Sequence, residues 1–185
     1  MKVIVPPIKS QGIKTKLVPW IMDQITEKDR EGRWIEPFMG TGIVGLNSRF
    51  ERALISDINP HLIAFYKAVR AGEITAQKVE EFLIEEGEKL RTAEEGGYVH
   101  YRAVRDRFNA DFAPLDFLFL NRAGFNGMIR FSKKGKWNIP FLEKAGTIPT
   151  GLPHENCKSG EERPSDHQTK VGVYRRPIRQ DVGAS

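Results

Sequence analysis

The chain has 185 residues and a formal net charge of +5. This length suits one domain with a hydrophobic core. It has no apolar run of about 18 residues and no N-terminal signal peptide, which predicts a cytoplasmic protein without a membrane span. Its one cysteine excludes an internal disulfide and a zinc site made of cysteines, and its positive charge is compatible with a polyanionic partner.

The first third of the chain predicts two short strands that are connected by a glycine-rich turn and a helix. Apolar spacing at residues 14–25 indicates an earlier helix, which Pro19 shortens at its start. Residues 34–35 then predict a strand and residues 43–50 a helix. Residues 53–57 predict the second strand, so this part of the chain has a strand–turn–helix–strand order.

The middle of the chain predicts several helices. Asn59 is a helix N-cap that precedes a proline, and Thr75 caps the following helix. A pair of glycines separates that helix from one at residues 98–109. A very apolar run follows Pro114, and its residues Phe119 and Leu120 are expected in the core rather than in contact with a ligand.

A loop and a β-hairpin are predicted next. Residues 121–127 read as a polar, glycine-punctuated loop, and the apolar stretches 128–131 and 137–141 flank a basic tip at residues 132–136. Arginine and asparagine can bond base edges, and lysines such as Lys133 and Lys134 can meet phosphates. The pattern favours nucleic-acid contact, and a solvated hairpin is the alternative.

The most informative pattern is the glycine-rich turn at residues 36–42 together with Asp57. In nucleotide-binding α/β units an acidic residue about 20 positions after such a turn holds ribose hydroxyls. Glu36, at the end of a strand, can meet an ammonium or a sulfonium. The turn is not a complete G-x-G-x-x-G, so it predicts an adenosine cofactor without a gripped pyrophosphate. A tight turn without a ligand is the alternative.

Four motifs in one order resemble those of the Dam-like, alpha-class adenine-N6 DNA methyltransferases. They are Lys9-Ser-Gln-Gly-Ile-Lys14, Glu36-Pro-Phe-Met-Gly-Thr-Gly42, Ser56-Asp-Ile-Asn-Pro60 and Leu120-Asn-Arg-Ala-Gly-Phe-Asn-Gly-Met-Ile-Arg-Phe131, the last followed by Trp137-Asn-Ile-Pro-Phe141. The resemblance covers roughly residues 5–142. It implies an incomplete α/β, Rossmann-like fold that binds S-adenosylmethionine, with a helical and β-hairpin insert that recognises double-stranded DNA.

The resemblance also implies roles for particular residues. The implied cofactor-binding residues are Lys14, Glu36, Phe38, Gly40, Gly42 and Asp57. The implied DNA-binding residues are Lys9, Phe125, Asn126, Met128 and Arg130, to which the lysines of the basic tip, Lys133 and Lys134, are added. The Dam branch reads GATC, but these positions vary across the family, so the target sequence stays open. No metal ligand is assigned.

The printed sequence contains no D-P-P-Y, the catalytic motif of this family. That motif accepts the amino hydrogens of a flipped adenine and stacks on its ring, so no catalytic residue is assigned. Apolar periodicity is lost near Ala145, and permitted codons read one base later give family-like helix sequences. We therefore expect a truncated, frameshifted chain that does not methylate DNA alone; a disordered tail is the plainer interpretation.

The expected organisation is a cofactor-binding part at residues 1–74, a target-recognition insert at 75–142 and an irregular or out-of-frame tail at 143–185. Three other functions remain open. In the first, the chain is half of a split enzyme, and a partner polypeptide supplies D-P-P-Y. In the second, it is a non-catalytic DNA-binding remnant. In the third, it is part of a methyltransferase that acts on RNA.

Overall fold

The computed structural model describes residues 2–142. The tail predicted at 143–185, and the frameshift expected near Ala145, lie outside the described residues. The described elements in chain order are α1 (Val18–Asp23), α2 (Glu27–Arg30), β1 (Trp34–Glu36), α3 (Ile43–Ser48), β2 (Ala53–Ile55), α4 (Pro60–Ala71), α5 (Ala76–Thr92), α6 (Tyr98–Asp111) and α7 (Pro114–Ala123). Short 3₁₀ turns lie at Glu95–Gly97 and Phe125–Gly127. The structure is therefore mixed α/β, with helices predominating.

The two strands are parallel neighbours, and their register pairs Trp34 with Ala53 and Glu36 with Ile55. The chain passes from one strand to the next through α3, which packs against β1. Both strands therefore end at the same edge of the sheet, where the glycine-rich turn and Asp57 follow them. The predicted strand–turn–helix–strand order is confirmed, with a second strand shorter than predicted.

Helices α4 and α5 begin at the two predicted N-caps. Asn59 accepts hydrogen bonds from the first turn of α4, and Thr75 accepts one from Lys78 N–H at 3.2 Å. Helix α1 begins later than the predicted residue 14. Residues 14–17 form a turn instead, and Pro19 lies in the first helical turn, where its missing N–H costs no hydrogen bond.

Helices α4 to α7 and the segment after the basic tip share one hydrophobic core. Helix α7 is central to it, because Phe117, Leu118, Phe119 and Leu120 are completely buried. The apolar face of α4 packs into the same cluster. A smaller cluster holds α1 against α3. Within residues 2–142 no helix is both long and apolar enough to cross a membrane.

Charged side chains also join helices α5, α6 and α7. Glu86 on α5 is 3% exposed and is paired with His100 on α6 at 2.9 Å, with further contacts to Lys89 and Arg107. The Arg107 guanidinium binds both oxygens of the buried Asp116 carboxylate, on α7, and this contact raises the pKa of Arg107. Each buried carboxylate thus has cationic partners, which offsets the cost of removing its charge from water.

The prediction that residues 121–127 form a loop is wrong for residues 121–123, which complete α7. Asn121 is fully buried, and its side chain forms three hydrogen bonds. Its carbonyl oxygen accepts from Lys9 N–H at 2.7 Å, and its amide donates to Lys9 O at 3.0 Å and Gly127 O at 3.1 Å. Burial therefore explains a polar residue that looked like part of a surface loop.

The predicted hairpin is confirmed as a reversal of the chain but not as a regular pair of strands. Isolated antiparallel bridges join Phe131 to Trp137 and Gly124 to Phe141. The N–H of Trp137 donates to the side chain of Asn109 on α6 at 2.8 Å, rather than to the opposite side of the hairpin. Contacts with the helices thus replace part of the expected ladder.

Replacing Asn121 with alanine should lower the free energy of unfolding by roughly 3 kcal/mol, because three hydrogen bonds disappear and the backbone groups of Lys9 and Gly127 lose their partner. Urea denaturation followed by far-ultraviolet circular dichroism measures this change. The control is Gln77→Ala, which removes an exposed hydrogen bond to Glu81 and should change stability by less than about 0.5 kcal/mol. Equal effects of the two substitutions would contradict a structural role for the buried amide.

Candidate functional site

The carboxyl ends of β1 and β2 are held together by Asp57. One carboxylate oxygen accepts from Gly40 N–H at 2.8 Å, and the other accepts from Asn59 N–H at 2.9 Å. A backbone hydrogen bond from Met39 N–H to Ser56 O, at 2.9 Å, closes the same contact. The acid predicted to hold a ligand is therefore adjacent to the glycine-rich turn and also shapes it.

Two glycines give this turn its conformation. Gly40 and Gly42 have φ angles of 52° and 76°, in the left-handed region that favours glycine. A Cβ atom added to Gly40 would meet nothing within 4 Å, so the constraint there comes from the backbone rather than from crowding. The turn leaves its backbone open to a ligand and then enters α3, whose N-cap is Gly42.

Glu36 lies at the end of β1 with its carboxylate half-buried beneath the turn. It accepts hydrogen bonds from the indole N–H of Trp34 at 3.1 Å and from the backbone of Gly45. A Cβ atom at Gly45 would lie 2.6 Å from a Glu36 oxygen, so a larger residue there would displace the Glu36 carboxylate. Burial raises the pKa of Glu36. The group is suited to a cationic ligand, whose charge would offset the cost of burying the carboxylate.

Two apolar side chains flank this region in open solvent. Phe38 is 87% exposed, and Ile58, directly after Asp57, is 95% exposed. Exposed apolar side chains beside a polar turn are typical of a ligand-contact surface. The sequence prediction included Phe38 but missed Ile58, for which the available signal was an apolar residue directly after the predicted ribose-binding acid.

Tyr66 supports the turn from α4 and was also missed. Its hydroxyl donates to Thr41 O at 2.5 Å. Burial and, to a smaller extent, the nearby charge of Glu36 raise the pKa of Tyr66.

Lys14, another predicted cofactor residue, makes its side-chain hydrogen bond outside the glycine-rich turn. Its exposed ammonium donates to the carbonyl of Gly12 at 2.7 Å, and α1, which begins after the following turn, packs against α3.

A second surface is built around the Phe125–Gly127 turn. Phe125 is 42% exposed, and the exposed Asn126 has a φ of 52°, while Met128 is half-buried against the core. The N-terminal segment reaches this turn, because Asn121 holds the backbone of Lys9 and a Cβ atom at Gly127 would lie 2.5 Å from Lys9 Cβ. The fold thus joins Lys9 to a predicted binding loop more than 110 residues away.

The hairpin extends this surface. Arg130 is exposed, and its guanidinium donates to the side chain and carbonyl of Asn138 at 2.7 and 2.9 Å. These bonds fix its orientation across the hairpin. Lys133 and Lys134 are exposed in the basic tip, which a hydrogen bond from Ser132 N–H to Lys136 O closes at 2.8 Å.

Arg122 is a residue of this surface that the sequence prediction missed. Its Nε is buried and has no hydrogen-bond partner within residues 2–142, and burial lowers its pKa. Burial and the nearby charge of Arg122 lower the pKa of Lys9. Two neighbouring cations, one with an unused donor, form a site that an anion would stabilise.

Among residues 2–142 no group of three or more histidine, cysteine, aspartate or glutamate side chains is arranged to hold a metal ion. The side chains described above instead form two surfaces. One has an acidic and apolar character around Asp57, and the other has a basic, aromatic and amide character around the Phe125–Gly127 turn.

Proteins with similar sequences carry consistent names. The chain is 39% identical over 138 residues to the DNA adenine methylase of Vibrio cholerae, in a match covering 72% of this chain and 46% of that protein. It is 35% identical over 151 residues to the DNA adenine methylase of Haemophilus influenzae, with 72% and 50% covered. The Type II methyltransferase M.MjaIII of Methanocaldococcus jannaschii is 33% identical over 150 residues, with 74% and 51% covered.

The chain thus spans about half the length of these relatives. The family model of the D12 class N6 adenine-specific DNA methyltransferases matches residues 10–148. This match takes in the glycine-rich turn, Asp57, helices α5 to α7 and the hairpin, and it begins one residue after Lys9. The chain belongs to the D12 class of N6 adenine-specific DNA methyltransferases.

Proposed function

We propose that this protein supplies the cofactor-binding and DNA-binding parts of an enzyme that transfers a methyl group from S-adenosylmethionine to the N6 amine of adenine in double-stranded DNA, and that the 185-residue chain does not complete this transfer alone. In this proposal residues 2–74 bind the cofactor in a Rossmann-like arrangement, and residues 75–142, with Lys9, recognise DNA. The contact of Asp57 with Gly40 carries the proposal, because it brings together the two motifs that an adenosine cofactor requires. The residues that orient the adenine amine are proposed to lie outside residues 2–142.

The surface around Asp57 fits the chemical groups of S-adenosylmethionine. Asp57 has its oxygens at the mouth of the turn and can accept from ribose hydroxyls, which are hydrogen-bond donors. Ile58 supplies exposed apolar surface for the flat adenine ring, and the half-buried Glu36 carboxylate suits the cationic methionine end. Gly40, where an added Cβ atom would meet nothing within 4 Å, leaves room for this end of the ligand.

The cofactor supplies a methyl group on a positively charged sulfur, and the described residues contribute binding and orientation. Glu36 would hold the cationic end, while Asp57 and Ile58 would hold the nucleoside. Such positioning lowers the barrier because it removes the entropy cost of aligning two reactants. Phe38 is the most exposed side chain of the turn and is placed to cover the bound ligand from water.

The basic surface fits a DNA duplex from which one base has been removed from the stack. Arg122, Lys133 and Lys134 would bind phosphates, and Lys9, Asn126 and Arg130 would read base edges. Phe125 is exposed enough to enter the stack as a wedge where the target base leaves. Arg130 is held across the hairpin by Asn138, so its guanidinium is oriented before DNA arrives.

Asp57→Asn should weaken the binding of S-adenosylmethionine by roughly 10- to 100-fold, because hydrogen bonds to a charged acceptor contribute about 1.5–3 kcal/mol. Isothermal titration calorimetry of the purified 185-residue chain measures this affinity. Asp23→Asn changes an exposed carboxylate on α1 and should bind like the unchanged protein. If both variants bind with unchanged affinity, Asp57 is not a cofactor ligand.

Affinity for S-adenosylmethionine should also fall as the pH is lowered through the raised pKa of Glu36. Burial raises the pKa of this carboxyl above that of an ordinary glutamate, and only its ionised form attracts a cation. Titrations from about pH 8 to about pH 5 should therefore show weakening before an ordinary glutamate protonates. Glu36→Gln should bind more weakly and lose this pH dependence; a persistent dependence would assign it to another group.

The double variant Lys133→Gln/Lys134→Gln should reduce the salt dependence of DNA binding. Each lost phosphate contact is expected to lower the slope of log affinity against log salt concentration by about 0.9. Fluorescence anisotropy with a labelled duplex at several salt concentrations gives this slope. Lys28→Gln/Lys67→Gln removes the same charge from α2 and α4 and should leave the slope unchanged.

The same assay with an RNA duplex of the same sequence tests the alternative substrate. Tighter binding of the RNA than of the DNA would favour an RNA substrate.

A further inference from the structure

His61 lies between the two proposed binding surfaces. It is in the first turn of α4, four residues after Asp57. Its N–H donates to the side-chain oxygen of Asn59 at 3.0 Å, and Asn59 N–H donates to the Asp57 carboxylate at 2.9 Å. The backbone of His61 is therefore two hydrogen bonds away from the acid that also holds Gly40.

The imidazole of His61 points into the aromatic cluster beneath the hairpin. It stacks on Phe131, with ring centroids 4.6 Å apart and an interplanar angle of 25°. It also contacts the rings of Phe112 and Phe108 on the α6 side, at 4.9 and 5.2 Å. Phe131 is bridged to Trp137 at the base of the basic tip, and their rings lie 5.5 Å apart.

We propose that His61 is a positioning residue that couples the cofactor turn to the DNA-binding hairpin. Occupation of the Asp57 carboxylate by cofactor would then tighten DNA binding, and DNA would tighten cofactor binding by the same factor. This inference rests on the proposed function, because it needs both ligands to bind.

The coupling follows from shared contacts. Cofactor hydroxyls would use the Asp57 oxygens that already bond Gly40 and Asn59, so ligand binding restrains the N-cap of α4. The first turn of α4 carries the imidazole, and close-packed rings transmit a displacement instead of absorbing it. On the hairpin side Phe131 is bridged to Trp137 and contacts its ring, so a shift of the His61 ring reaches the base of the basic tip through this pair.

An uncharged ring is sufficient for this role. Burial lowers the pKa of His61, so the imidazole is neutral near pH 7 and packs as an aromatic ring. The contacts that carry the coupling are ring faces and edges rather than an ion pair. A phenylalanine at this position should therefore preserve the coupling, whereas a side chain without a ring should not.

The test measures the affinity of the 185-residue chain for a labelled DNA duplex with and without saturating S-adenosylmethionine. The unchanged protein should bind DNA about 5-fold or more tightly when the cofactor is present. His61→Ala should reduce this ratio to about one, and His61→Leu provides a bulky variant without a ring in case alanine prevents folding. His61→Phe should restore the ratio, and Ile63→Ala on the same turn of α4 should retain it.

A second readout follows the hairpin directly. The indole N–H of Trp137 donates to the hydroxyl of Tyr101 at 2.9 Å and gives a separate nuclear magnetic resonance signal. Addition of S-adenosylmethionine without DNA should shift this signal in the unchanged protein and in His61→Phe, but not in His61→Leu. A purely structural role for His61 would not produce this difference among folded variants.

The outcomes separate the inference from the proposed function. If the chain binds both ligands but neither affects the other, or if His61→Leu keeps the affinity ratio, coupling through His61 is overturned. If the unchanged chain binds no S-adenosylmethionine at all, the proposed function fails instead. If DNA binding depends on salt but its affinity is the same with and without S-adenosylmethionine, the non-catalytic DNA-binding alternative is supported.

Discussion

The buried amide of Asn121 is the constraint on which the arrangement of the proposed DNA-binding surface depends. It is inside α7, yet its hydrogen bonds fix the backbone of Lys9 and the carbonyl of Gly127. Bringing such distant segments together costs loop-closure entropy, which grows slowly with length, so a few buried hydrogen bonds offset much of it. Without this side chain the backbone of Lys9 would lose the two hydrogen bonds that hold it on α7.

Asp57 has the corresponding role at the other surface. Its two oxygens accept hydrogen bonds from the glycine-rich turn and from the N-cap of α4. The side chain that is proposed to bind ribose therefore also stabilises the local structure. The same carboxylate would have to serve protein and cofactor together. In the proposed function, ligand binding and local folding would therefore depend on the same side chain. The ring contacts of His61 join the first turn of α4, which Asp57 also holds, to Phe131 of the hairpin.

Sequence patterns predicted the features that depend on short-range chemistry. The strand–turn–helix–strand order, the caps at Asn59 and Thr75 and the burial of Phe119 and Leu120 are confirmed, since capping and apolar patterning are local signals. The spacing from the glycine-rich turn to Asp57 also indicated their proximity. The assignment of these residues to cofactor and DNA stays a prediction.

Features that depend on tertiary contacts were not predicted. Asn121 is polar and precedes a glycine-rich stretch, so nothing local distinguishes a buried helical amide from a loop residue. The hairpin ladder is incomplete because Asn109 on α6 takes the N–H of Trp137. Arg122 looks like an ordinary surface cation in the sequence, and only its burial without a partner for Nε marks it.

The close packing of Lys9 against Gly127 has a thermodynamic consequence for recognition. A lysine on a free N-terminal strand would lose backbone freedom on meeting DNA, at a cost of about 1–2 kcal/mol for each residue ordered. Here that backbone is already fixed on both sides by Asn121, so the loss occurs during folding. In the proposed complex with DNA, only the flexible end of the Lys9 side chain would remain to be immobilised, and more of the interaction energy would be available to discriminate between DNA sequences.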